Sequence, residues 1–127
     1  MQSVLITGAN RGIGLELARQ FVAAGWRVFA CCRDPSKATE AAALQKAAGG
    51  AVSLHALEVT DQASIAALAE ALKAAALDVL LNNAGIAGRG AASIGATDSK
   101  AWLETFAVNC IAPMHMAEAF LPHLARG

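Results

Sequence analysis

The stretch Thr7-Gly8-Ala9-Asn10-Arg11-Gly12-Ile13-Gly14 constrains what this chain can fold into more than any other. It stands between a short apolar run, Val4 to Thr7, and a segment from Ile13 to Ala24 in which Ile13, Leu17 and Phe21 recur at helical spacing before Gly25 stops it. A run that short suits a parallel strand buried on both faces. Between such a strand and a helix, one glycine permits a tight reversal, a second lets a pyrophosphate approach the main chain, and a third lets helix and strand pack closely. The free N–H groups of the first helical turn then face an anion. No Lys-Ser or Lys-Thr follows the glycines, so the turn is not a P-loop. The plain alternative is a glycine turn that binds nothing.

Strands and helices continue to alternate, the rhythm of an α/β domain whose parallel sheet carries helices on both faces. Trp26 to Cys32 is the expected second strand; Asp34 and Pro35 read as the cap and first-turn proline of a helix through Ala48, which Gly49 and Gly50 end. Val52 to Val59 is the expected third strand. Thr60 or Asp61 caps the next helix, whose apolar positions Ile65, Leu68 and Leu72 recur at three and four and whose end lies near Ala76. Asp78 to Leu81 is the fourth strand, closed by Asn82 and Asn83. Gly85 to Ser99, with Gly88, Gly90 and Gly95, has no period and reads as one long loop. A last helix is expected from about Ala101 to Leu124, capped by Asp98 or Ser99, kinked at Pro113, its regular part ended by Pro122.

With 127 residues, 56% of them hydrophobic, one domain with a core of its own is expected. Ten basic and ten acidic residues balance, which leaves no basic face for nucleic acid or an anionic membrane. The apolar stretch Ala63 to Leu77 is broken by Glu70 and Lys73 and falls short of the roughly 20 residues a spanning helix needs. Met1, Gln2 and Ser3 run directly into the first strand with no basic leader, and three unspaced cysteines form no disulfide framework, so a cytoplasmic setting is expected. Tyrosine is absent altogether, which removes every mechanism that needs a phenol as acid or base.

The spacing Thr7-Gly8-x-x-x-Gly12-x-Gly14 resembles that of the short-chain dehydrogenase/reductase family, and other segments share the resemblance. Val79-Leu80-Leu81-Asn82-Asn83-Ala84-Gly85 matches the family's Asn-Asn-Ala-Gly motif, which steadies the sheet and lines the cofactor site. Leu57-Glu58-Val59-Thr60-Asp61 is similar to the family's Asp-Val segment, whose acid meets the adenine amino group; here Glu58 replaces the usual aspartate. Asn109, after Val108, matches the helix asparagine that holds a water of the proton relay. The resemblance spans Val4 to Leu124, and within the family Ile6 to Leu17 and Phe29 to Pro35 look most like the C-factor-like carbonyl reductases. It implies a doubly wound, Rossmann-like sheet, here with the first four strands, and hydride transfer between a nicotinamide and a carbonyl or alcohol carbon of a small molecule. The implied cofactor-binding residues are Thr7, Gly8, Asn10, Arg11, Gly12, Ile13, Gly14, Arg33, Glu58, Val59, Asn83, Ala84 and Gly85, with Asn109 catalytic.

The cofactor's form has a separate physical argument. About 20 residues beyond the glycines an acid would take a ribose 2′-hydroxyl, whereas an arginine would take a 2′-phosphate. Arg33 stands there after Cys32, and Arg11 in the turn can reach the same phosphate. NADP is therefore expected over NAD. Asp34, the competing acid, precedes Pro35 and serves better as a cap.

Other residues carry plainer readings. His55, His115 and His123 have no partners at metal-ligand spacing, and no metal is expected. Cys31 and Cys32 should point to opposite faces of a strand, and Cys110 reads as a small packing residue. Trp102, Phe106, Cys110, Met114 and Leu121 give the last helix an apolar face wide enough to meet a second subunit, in keeping with the family's dimers and tetramers. The family's serine, tyrosine and lysine would follow Gly127 on a fifth strand and its helix, so the chain is expected to be the cofactor-binding half of an oxidoreductase, inactive alone. The alternative is a naturally short nucleotide-binding or interaction module, which would have to cover the open edge of its fourth strand. The Asn-Asn-Ala-Gly motif argues against an epimerase-like relative.

Overall fold

A computed structural model describes residues 1–88 and 93–127. Four strands, β1 (Ser3–Thr7), β2 (Arg27–Cys32), β3 (Val52–Ala56) and β4 (Val79–Leu81), make one parallel sheet in the order β3-β2-β1-β4. The chain steps outward from β1 to β3 and then returns to pair β4 with the other side of β1. That reversal opens a crevice beyond the carboxyl ends of β1 and β4, where ligands of open α/β sheets bind.

Alternation along the strands builds two cores. Val4, Ile6, Val28, Ala30 and Val52 face helix α1 (Gly12–Ala23) and helix α2 (Thr39–Ala47). Leu5, Phe29 and Cys31 face helix α3 (Gln62–Ala71) and helix α5 (Ala112–Leu124), meeting Ile65, Leu68, Met116 and Phe120. Cys32 packs instead with Leu15, Ala38 and Ala41, so the two adjacent thiols do lie on opposite faces.

Several expected boundaries move, each for a local reason. Ile13 is 74% exposed, and the inward residues of α1 are Gly14, Leu15 and Ala18. The helix ends as expected: Gly25 takes φ of 83°, and Trp26 N–H returns to Phe21 O, which delays β2 to Arg27. Asp34 does cap a helix, accepting from Ser36 N–H, but that helix is one 3₁₀ turn (Pro35–Lys37), and α2 starts afresh after Ala38. Strand β3 stops at Ala56, because Glu58 turns its carboxylate onto the N–H and hydroxyl of Thr60. Asp61 caps α3, which ends at Ala71 rather than near Ala76: Arg126 takes the Lys73 and Ala75 carbonyls, and Leu77 N–H goes to His123 O. Asp78 precedes β4, its carboxylate accepting from Ser3 N–H at 2.8 Å.

The last helix is three pieces. Asp98 caps α4 (Ser99–Phe106), a π-helical segment covers Ala107–Ile111, and α5 begins one residue before Pro113. Proline has no N–H to continue the ladder, and the extra residue of a π turn carries the chain past that gap. Pro122 does not end the helix, which continues to Leu124 because Phe120 and His123 on either side of it are buried. The long loop before α4 is seen at 85–88 and 93–98; Gly90 lies outside the described residues. Cys110 is exposed, a correction to its reading as a packing residue: the π segment turns it outward. No helix among the described residues is long and apolar enough to cross a membrane.

Phe120 and Leu121 are neighbours in opposite environments, 0% and 64% exposed. Phe120→Ala should cost about 3–5 kcal/mol through the lost contacts and the cavity left behind, while Leu121→Ala should stay within about 0.5 kcal/mol of the parent. Urea unfolding midpoints of the two variants, at matched slopes, test this; similar losses for both would contradict the assigned face of α5.

Candidate active site

Three segments converge at the crevice beyond β1 and β4. Gly8 leaves β1 at φ of 65°, and Gly12 opens α1 at φ of 57°, both left-handed positions that favour glycine. Between them Ala9 N–H donates to Cys31 O at 3.0 Å, tying the turn to the end of β2. Gly14 lies against β1 so closely that a Cβ there would collide with the Gly8 carbonyl and stand 2.5 Å from Asn83 Nδ2. A Cβ on Gly12 would meet nothing within 4 Å. One glycine is therefore required by packing, and the other faces open space.

Asn83 clamps the turn from across the sheet. Its Nδ2 donates to Thr7 O at 3.1 Å and to Gly8 O at 3.2 Å. Thr7 is buried; its hydroxyl accepts from Ala84 N–H at 2.9 Å and donates to Leu81 O at 3.4 Å. The Asn-Asn-Ala-Gly segment and the glycine turn are thus one hydrogen-bonded unit, though 76 residues separate Thr7 from Asn83.

The start of α1 is electrostatically open. Its first ladder bond runs from Leu15 N–H to Arg11 O, so the N–H groups of Gly12, Ile13 and Gly14 have no partner four residues back in the helix. Arg11, in extended backbone at the N-cap, supplies no side-chain cap, and no acid occupies the first turn. No carboxylate within that turn meets the helix dipole. Arg11, Gly12 and Ile13 are exposed, and Asn10 is half-buried beside them.

The remaining candidates sit around this centre. Arg33 is exposed at the end of β2, while the carboxylate of neighbouring Asp34 is taken by Ser36 N–H and hydroxyl. Glu58 and Val59 are half-buried after β3; the Glu58 carboxylate is engaged by Thr60, and Glu58 N–H donates to Ser64 Oγ at 2.9 Å. Burial raises the thiol pKa of Cys31, to which Cys32 adds, and of Cys32, to which Asp34 adds, so neither is an activated nucleophile. No group of three or more His, Cys, Asp or Glu among the described residues is arranged to hold a metal.

Asn109 lies in the π segment and brackets one residue: its Nδ2 donates to Ile86 O at 2.7 Å and its Oδ1 accepts from Ile86 N–H at 2.9 Å. A Cβ on Gly85 would come within 3.2 Å of the same Oδ1. Reading the residues in order does not reveal this clamp, nor that of Asn82 Nδ2 on Pro113 O, because both join positions more than 20 residues apart.

Comparison with known proteins agrees with this geometry. The short chain dehydrogenase family model matches residues 2–127. The (+)-neomenthol dehydrogenase of Arabidopsis thaliana is 37% identical over 142 residues, covering 94% of this chain and 48% of the relative. Among solved structures, an NADPH-bound carbonyl reductase from chicken fatty liver is 44% identical with a TM-score of 0.84, covering 99% of this chain and 52% of that one. A carbonyl reductase from Pseudomonas aeruginosa PAO1 in complex with NADP is 32% identical with a TM-score of 0.89, covering 97% and 56%. The chain spans about half the length of these relatives. From the glycine turn to Asn109, it belongs to the short-chain dehydrogenase family.

Proposed function

We propose that this chain forms the cofactor-binding half of an NADP-dependent oxidoreductase that reduces a small-molecule carbonyl, of the C-factor-like carbonyl reductase kind. The observation that carries the reading is the glycine turn: open space before Gly12, an uncapped and acid-free start to α1, and arginines at Arg11 and Arg33. The residues fit a dinucleotide. Pyrophosphate would be held by the N–H groups of Gly12 and Ile13, with Thr7, Gly8, Asn10, Gly14, Asn83, Ala84 and Gly85 shaping the crevice around it. Glu58 and Val59 would border the adenine. Arg33, helped by Arg11, would pair with a 2′-phosphate through a guanidinium fork, which a point charge matches less well. The bound cofactor would supply the hydride.

Asn109 is the one residue of the family's proton relay that this chain contributes, and its side chain is spent on the Ile86 backbone. Its role in our reading is to fix the loop after β4 beside the crevice. With no tyrosine in the sequence, no phenol is at hand to donate the proton. The carbonyl reductases noted above lend support through their bound NADP or NADPH. The whole protein would work in the cytoplasm as a homo-oligomer, a second copy covering the exposed Trp102, Phe106, Met114 and Leu121.

Two measurements test the reading. Arg33→Asp should weaken NADPH binding by about 2 kcal/mol, roughly 30-fold, as expected for a lost charge-assisted pair, and leave NADH nearly unchanged. Equal losses in parallel calorimetric titrations would remove Arg33 from the 2′-phosphate site. The 127-residue chain alone should not oxidise NADPH in the presence of carbonyl compounds. Turnover by a homogeneous sample of verified mass would contradict the division of labour proposed here.

A further inference from the structure

A separate cluster of polar groups occupies the outer edge of the sheet, on the face that carries α3. Strand alternation puts Arg27 and Phe29 of β2 on that face with Ser53 and His55 of β3, and Phe29 pairs directly with Ser53. The Phe29 ring is the floor of the cluster. The Arg27 guanidinium carbon lies 5.1 Å from its centroid, and the His55 ring lies 5.9 Å from it, tilted by 42°. Ser53 Oγ is 2.8 Å from His55 Nε2. Arg27 is exposed and the other two are half-buried, so the shelf is open to solvent.

What this cluster lacks is a counter-charge. Arg19, Lys37 and Lys73 each pair with a carboxylate, whereas Arg27 makes no ion pair among the described residues. Burial first, and the Arg27 charge second, push the His55 pKa below its ordinary value. The Arg27 charge therefore disfavours a proton on His55, which shares its face of the sheet. An anion seated between them would reverse that interaction, so that anion and proton each favour the other's binding.

We propose that Arg27, Ser53 and His55 form a binding site for a phosphate-type oxyanion, distinct from the glycine turn. The guanidinium presents a planar fork, and the Ser53–His55 pair, which spends one proton on its own hydrogen bond, has one further donor left, or two once His55 is protonated. That suits a tetrahedral oxyanion with several free oxygens better than a flat carboxylate. Phe29 holds the arginine against the sheet by a cation–π contact, which lowers the ordering cost of closing on the ligand. Arg27 opens β2 and Arg33 follows its far end, so the two arginines serve opposite ends of the same strand.

The test is a titration of the full chain with inorganic phosphate, and separately with phenyl phosphate, against chloride at constant ionic strength. It follows the His55 ring resonances, assigned by their loss in His55→Gln. The proposal expects a saturable shift that Arg27→Gln weakens by about tenfold or more. Ser53→Ala provides a second variant, expected to weaken the shift while leaving the Arg27–Phe29 contact in place. Tighter binding of phenyl phosphate would mark a phosphomonoester as the ligand, and equal or weaker binding would mark free phosphate. The Gly12 amide reports anion at the glycine turn independently. A His55 response that does not saturate, that persists unweakened in both variants, or that only tracks Gly12 with the same midpoint would overturn the proposal.

Discussion

The contact on which the site depends is the one between Gly14, the Gly8 carbonyl and the Asn83 side chain. It brings the first turn of α1 down onto β1 and holds β4 against both, so a helix, a central strand and an edge strand meet within one hydrogen-bonding group. A side chain at Gly14 would force these elements apart. The crevice beyond the sheet, the direction of the free N–H groups and the placing of Arg11 all follow from that close approach. This junction has no room for a Cβ at Gly14.

The second organising element is the interrupted helix on the opposite face. Pro113 would break a continuous α-helix, and the π segment before it absorbs the missing hydrogen bond. The same irregularity carries Asn109, which reaches back to hold both polar groups of Ile86. Cys110 beside it is turned to solvent, and the apolar side chains of α4 and α5 that do not reach the core are displayed outward. A backbone defect thus anchors the loop that borders the crevice and shapes the exposed face where we place a second copy.

Much of this was legible in the residues themselves, and the parts that were not share a cause. Strand and helix alternation, the glycine turn and the Asn-Asn-Ala-Gly segment are local patterns, and the parallel four-stranded sheet agrees with what they imply. The boundaries of β3, α2 and α3 differ from those the sequence predicts because side chains end those elements. Glu58 folds onto Thr60, Asp34 onto Ser36, and Arg126 reaches across to the carbonyls after α3. Ile13 matched the helical period of α1 yet lies exposed beside the turn, because periodicity reports spacing and not what stands opposite. Neither the clamp of Asn109 on Ile86 nor the cluster of Arg27, Ser53 and His55 has a signature along the chain; both arise only when distant segments are laid side by side.

The central claim, that the glycine turn receives the cofactor's pyrophosphate, is tested most directly by amide resonances of the isotopically labelled chain during an NADPH titration. The account predicts saturable shifts centred on Gly12 and Ile13 at the start of α1, with a matching response of the Arg33 side chain. A titration without saturation, or saturable shifts confined to other parts of the chain while Gly12 and Ile13 stay still, would contradict it.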